Sequence, residues 1–195
     1  VPAVANLSIN GDPSTALDEA VMRTIADGIT VVIAAGNSAT DACASSPSSV
    51  AAAITVGATT FDDSRVSFSN FGSCVDLYAP GHAISSAGFG STTSEVSYSG
   101  TSMSSPYVAG AAALILGINP TAPPAGVSDA LLSMATRGVV SNAAGLNNHM
   151  LFTAEIGANS VPVSNRPPQS SFTFACTGAT CSFSDQSTDP DGTVV

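Results

Sequence analysis

Gly100-Thr101-Ser102-Met103-Ser104-Ser105-Pro106, continuing into Tyr107-Val108-Ala109-Gly110-Ala111-Ala112-Ala113-Leu114-Ile115-Leu116, is a turn of small polar residues that runs straight into an apolar segment. Such a junction reads as the N-terminus of a buried helix, with several of the polar residues able to cap it. Ser102 then stands in the first turn. There the N–H groups lack intrahelical acceptors, and the positive end of the macrodipole favours a developing negative charge. That environment suits a nucleophile, although a serine standing alone at a helix start is more often a plain cap. No G-x-S-x-G pattern surrounds Ser102.

Upstream, the chain alternates strand and helix. Val1 to Ile9 reads as a short apolar strand, broken by Asn10-Gly11-Asp12-Pro13. Ser14 or Thr15 can cap the helix that follows, with Leu17, Val21 and Ile25 at helical spacing and Gly28 stopping it. Thr30 to Ala35 is wholly apolar after its threonine and of strand length, as a parallel strand buried on both faces requires. Strand, helix, strand in this order is a crossover unit, so the fold class is α/β with a parallel sheet. Gly36-Asn37 ends the second strand at its carboxyl edge, where open α/β sheets place ligands; an asparagine there alone is more often a turn residue. Further β segments read at Ala53 to Ala58 and Val75 to Ala79, and Ser128 can cap a helix running through Met134.

Composition bounds the partners. With 14 acidic and 4 basic side chains in 195 residues, the net charge of −10 leaves no basic patch for nucleic acid or an anionic membrane. The apolar run Val108 to Ile118 is short and glycine-interrupted, which argues against a membrane span. The four cysteines, Cys43, Cys74, Cys176 and Cys181, form two groups without C-x-x-C spacing, so disulfides in an oxidising compartment are favoured over unrelated buried thiols.

Gly100 to Pro106 resembles the G-T-S-M-[AS]-x-P motif of the subtilisin-like serine proteases, and Ala34-Ala35-Gly36-Asn37 and Phe68-Ser69-Asn70-Phe71-Gly72 match further segments of that family in its order. The resemblance runs from Ala5 to about Thr153 and implies a subtilisin-like parallel-sheet fold. It gives Ser102 the role of nucleophile and Asn37 that of oxyanion donor. Substrate would lie along Leu7, Ser8, Ile9, Asn10 and Gly11, with Ala35 and Gly36 opposite. Asn10 departs from the family, which usually has glycine there, and Tyr107 replaces its usual histidine, a change read as one of packing. In the proteinase K-like branch the resemblance also implies a Cys43–Cys74 bridge. It implies a structural calcium ion held by the carbonyls of Ala51 and Ala53 and by Asp76, and no catalytic cofactor. His82 and His149 lie outside the context of the family's catalytic histidine and read as surface residues.

The family's D-[ST]-G and H-G-T-H motifs, which carry the triad Asp and His, do not occur in this sequence. Residues 1–155 are therefore expected to be the C-terminal portion of a peptidase domain. Residues 156–168, ending in Arg166-Pro167-Pro168, read as a linker. In residues 169–195, Phe172, Phe174 and Cys176 alternate with polar residues, and Cys181 and Phe183 continue the pattern after a turn; this reads as a hairpin that a Cys176–Cys181 bridge would close. The segment resembles the opening of a PKD module, an immunoglobulin-like β-sandwich. The expected whole is a secreted, monomeric endopeptidase acting on polypeptides. The alternative is a non-catalytic secreted binding module that carries a relic peptidase domain.

Overall fold

The computed structural model describes residues 2–145, 147–154 and 156, and the backbone of 172–177 and 180–185. Strand β1 (Val4–Leu7) leads through helix α1 (Thr15–Ala26) to strand β2 (Thr30–Ala34), and the two strands pair in parallel with Val4 opposite Thr30 and Leu7 opposite Ile33. Ser14 is the residue that caps α1, accepting from the Leu17 N–H, and Gly28 follows the helix at φ +88°, a conformation open to glycine without steric cost. Strands β3 (Ile54–Thr59) and β4 (Leu77–Pro80) extend the parallel sheet.

Beyond β4 come a hairpin of β5 (Ile84–Ala87) and β6 (Glu95–Tyr98), then helix α2 (Thr101–Ile118), helix α3 (Pro124–Met134) and the short strands β7 (Thr136–Arg137) and β8 (His149–Met150). Among the described residues the main sheet has six strands in the order β1-β2-β3-β4-β8-β7, parallel except for the β7–β8 pair. Strands β9 (Phe172–Thr177) and β10 (Thr180–Asp185) form a separate antiparallel hairpin with Cys176 opposite Cys181. The side chains of this hairpin, and with them the proposed second bridge, lie outside the described residues, as does the linker after Ile156.

Alternation along β2 assigns each face a helix. Val31 and Ile33 pack with Val21 of α1, whereas Val32 packs with Val108, Ala111 and Ala112 of α2 and with Val127 and Leu131 of α3. All five residues of β2 are buried, as a strand covered on both faces must be. At 18 residues α2 is long and apolar enough to cross a bilayer by those measures alone, but it is the core helix laid across the sheet.

One helix boundary differs from expectation. α3 begins at Pro124 after Pro123, so Ser128 lies inside it and caps nothing. Proline's fixed φ and missing N–H suit the first helical position better than a serine four residues on suits a cap. The Cys43–Cys74 disulfide is present, joining residues 31 apart; closing a loop of that size stabilises the fold by roughly 3–4 kcal/mol in the chain-entropy picture.

Candidate active site

Ser102 is the second residue of α2 and is partly buried. Residue Gly100 precedes the helix without a side chain to cap it. The cap comes from elsewhere: Asn37, just past β2, accepts through Oδ1 from the Thr101 N–H (2.9 Å) and from the Thr101 hydroxyl (2.9 Å). The Thr101 Oγ1 in turn accepts from the Gly36 N–H (3.1 Å). With its oxygen taken by two donors, the Asn37 amide has one reasonable orientation, oxygen on Thr101 and Nδ2 free of hydrogen-bond partners among the described residues. Among the described residues no acceptor reaches the Ser102 N–H, while Met103 N donates to Gly100 O (3.0 Å). Asn37 Nδ2 and Ser102 N are thus donors left unspent beside the Ser102 hydroxyl.

The turn that carries Asn37 is held on every side. Ala35 N donates to Val56 O, and Asn70 N donates to Gly36 O. Asn70 is fully buried; its Nδ2 donates to Ala35 O (2.9 Å) and its Oδ1 accepts from Ser38 N and Thr40 N. Gly36 has φ +103°, and a Cβ there would lie 2.4 Å from Asn70 Nδ2 and 2.5 Å from Asn10 Oδ1. Both conformation and space therefore demand glycine at this position.

On the other side of the nucleophile stands Ser8. Pro106 lacks the N–H that would close the helical bond to Ser102 O. The Ser8 hydroxyl supplies the missing donor instead, at 2.9 Å. Since that uses its one proton, the Ser8–Ser105 contact (3.1 Å) has Ser105 donating, and Asn6 Nδ2 donates to Ser8 Oγ as well (3.0 Å). The Ser102 hydroxyl points at Ser8 O, 3.4 Å away.

Among the described residues, two cavities open onto Ser102. One, of about 460 Å³, is lined by Ser8, Ile9 and Asn10 on one wall and by Gly36, Asn37 and Ser38 on the other. The second, of about 400 Å³, lies toward β5 and is lined by Ile84, Met103, Pro106 and Tyr107. Tyr107 is 46% exposed and faces this second cavity, so its change from histidine is not one of core packing. Of the residues singled out by sequence, Ser8, Ile9, Asn10, Gly36, Asn37 and Ser102 line the first cavity, while Leu7 remains in β1 and Gly11 turns away to exchange backbone bonds with Ser46. Ala35 presents its carbonyl to Asn10 and Asn70.

Asp76 lies at the opposite, amino edge of the sheet. Its Oδ2 accepts from the Thr55 N–H (2.7 Å), and burial raises its pKa from 3.8 to about 6. Among the described residues no basic side chain comes within ion-pair distance of it. No backbone hydrogen bond among the described residues ends on Ala51 O or Ala53 O. His149, expected at the surface, is half-buried instead, with Nδ1 3.2 Å from Asp76 O; the β7–β8 pair draws it against the sheet. His82 is exposed.

Comparison with known proteins agrees with this geometry. The sequence profile of the subtilase family matches residues 2–153. The chain is 56% identical over 150 residues to an extracellular serine proteinase of a Thermus species, covering 77% of this chain and 37% of that one. It is 41% identical over 191 residues to alkaline serine exoprotease A of Vibrio alginolyticus, covering 98% of this chain and 32% of the relative. A crystal structure of a cold-adapted subtilisin-like serine proteinase superposes with a TM-score of 0.75 at 48% identity, covering 78% of this chain and 55% of the other. The chain spans roughly a third of the length of the two sequence relatives. With the family profile matched over most of its length and the family's serine and asparagine brought together at one cavity, the chain belongs to the subtilase family.

Proposed function

We propose that the protein carrying this chain is a secreted serine endopeptidase and that this chain supplies its nucleophile and oxyanion donors. Ser102 Oγ attacks the scissile carbonyl carbon. The carbonyl π electrons move onto oxygen, where Asn37 Nδ2 and Ser102 N donate to the charge. The proton of Ser102 passes to a histidine of the H-G-T-H type, and the departing amine takes it back. The observation that carries this reading is the Thr101–Asn37 pair, which turns a neutral amide so that its N–H₂ serves the cavity at Ser102. The polypeptide substrate runs along Ser8 to Gly11. Secretion is supported by the disulfide and by the likeness to an extracellular proteinase of a Thermus species.

Calcium fits the amino edge of the sheet. A desolvated carboxylate with a single N–H partner, together with two carbonyls without backbone donors, is an all-oxygen set of the kind a hard cation takes. Asp76 with the carbonyls of Ala51 and Ala53 would hold the ion, which would neutralise the buried charge and serve structure rather than chemistry. For the C-terminal region we keep the division at residues 1–155, 156–168 and 169–195, with the last as the start of a PKD-type immunoglobulin-like module. Its support is the antiparallel β9–β10 pairing and a Vibrio alignment that runs past the end of the family match. The complete enzyme acts as a monomer, without nucleic acid or membrane.

Labelling of the full-length protein with a fluorophosphonate tests the reading. The wild type takes the label and Ser102→Ala takes none; label retained by Ser102→Ala, or none on the wild type, removes the nucleophile assignment.

A further inference from the structure

We infer that Asn10 sets the depth of the pocket beside Ser102 and restricts the residue on the acyl side of the scissile bond to short side chains such as alanine and serine. This rests on the peptidase reading above and adds a substrate class to it. Of the two cavities at Ser102, the first also contains Asn37, whereas the second does not. The acyl residue carries the carbonyl whose oxygen must reach Asn37, and its side chain leaves from the Cα bonded to that carbonyl carbon, so it enters the first cavity.

Within that cavity Asn10 spans the gap between the walls. Its Nδ2 donates to Ala35 O at 3.3 Å and to Ser48 Oγ at 2.9 Å, which occupies both amide protons. Its Oδ1 lies over the Cα of Gly36, 2.5 Å from where a Cβ would be. Gly36 offers no side chain, so the amide of Asn10 rather than a bare backbone surface meets whatever enters. Swinging the amide aside would give up both hydrogen bonds. A methyl or hydroxymethyl group needs the least depth before the bar. An aromatic ring has to displace it, and a glycine at position 10 would remove it.

The experiment uses the full-length enzyme and two peptide substrates that differ only at the residue before the cleaved bond, alanine in one and phenylalanine in the other. The ratio of their kcat/KM values does not depend on how much of a preparation is folded. Wild type favours alanine. Asn10→Gly shifts the ratio toward phenylalanine by at least about tenfold, the low end of what pocket volume commonly controls, and Asn10→Ala falls between. A wild type that favours phenylalanine, or an Asn10→Gly ratio within about twofold of wild type, overturns the inference. If Ser102 labels with fluorophosphonate and the ratio stays put, the inference alone fails; if Ser102 does not label, the peptidase reading fails and takes the inference with it.

Discussion

The two ends of the parallel sheet solve different problems with polar groups. At the carboxyl edge, the backbone groups of Ala35 and Gly36, the Asn37 oxygen and the Thr101 hydroxyl are all neutral and all engaged. At the amino edge, Asp76 is half-buried with one N–H donor and no basic partner among the described residues. A neutral, fully partnered network is held by geometry and is indifferent to protons or ions near neutral pH. A desolvated charge short of partners responds to both. The first arrangement suits groups that must stand ready for a charge that appears only in a transition state, and the second is what the proposed calcium site would need.

The largest effect belongs to the carboxyl edge. Asn37→Ala removes an oxyanion donor and lowers kcat much more than it changes KM, because the oxyanion exists only in the transition state. Losing one such donor in subtilisin costs roughly 10²–10³ in kcat, and that precedent, not this geometry, supplies the magnitude. Active-site-titrated protein checks it; a loss under about tenfold, 1.4 kcal/mol, would make Asn37 a turn residue and a helix cap only.

Next comes the amino edge. Without calcium, Asp76 titrates near 6 when folded instead of near 3.8, so the folded chain holds a proton that the unfolded chain releases. Stability from this group is fully present below the ordinary carboxyl value and is lost as pH rises through about 6. Chelated enzyme is therefore less stable at pH 7.5 than at pH 5, by about 1.4 kcal/mol from this group. Calcium reverses the deficit, and Asp76→Asn abolishes both responses. Urea midpoints across pH, with and without calcium, test this; a calcium response undiminished in Asp76→Asn would place the ion elsewhere.

The smallest effect tests whether the carboxyl edge acts through geometry alone. Thr101→Val leaves Asn37 in place but deletes the hydroxyl that receives Gly36 N–H and donates to Asn37. We expect kcat to fall by about tenfold with KM nearly unchanged, and Thr101→Ser to restore it. A Val variant with wild-type kcat would show that the Thr101 N–H suffices to orient the amide.

Much of the fold was legible because it rests on local signals. The buried run Thr30 to Ala35 and the Ser14-to-Gly28 helix announce themselves by periodicity and punctuation. The start of α3 was misread because a serine signals a cap strongly and a proline pair signals a break, although Pro124 opens the helix. The β5–β6 hairpin was silent, since serine and glycine repeats there carry no alternation. In the site, Ser102 and Asn37 were reachable through their motifs. Their supports were not: Thr101 meets Asn37 from 64 positions away, and Asn70 meets Ala35 from 35 away. Nothing in local sequence names the partner of a buried amide at such distance, although a threonine directly before the nucleophile and an asparagine between Phe68-Ser69 and Phe71-Gly72 were the places to look.

Pro106 and Ser8 carry a consequence for reading variants of this chain. The proline withholds an N–H from the carbonyl of the nucleophile, and a serine 94 positions upstream of that carbonyl provides the replacement. The fitness of one position is therefore conditional on the other. Ser8→Ala strands a carbonyl when proline is present, whereas an alanine at 106 could supply the helical bond and make the serine dispensable. Scans that change one residue at a time would record Ser8 as indispensable and miss that its importance is lent by Pro106. Sequences that drift at either position should drift at both, and a grafted motif that brings the proline without the serine inherits an unsatisfied group at its reactive residue.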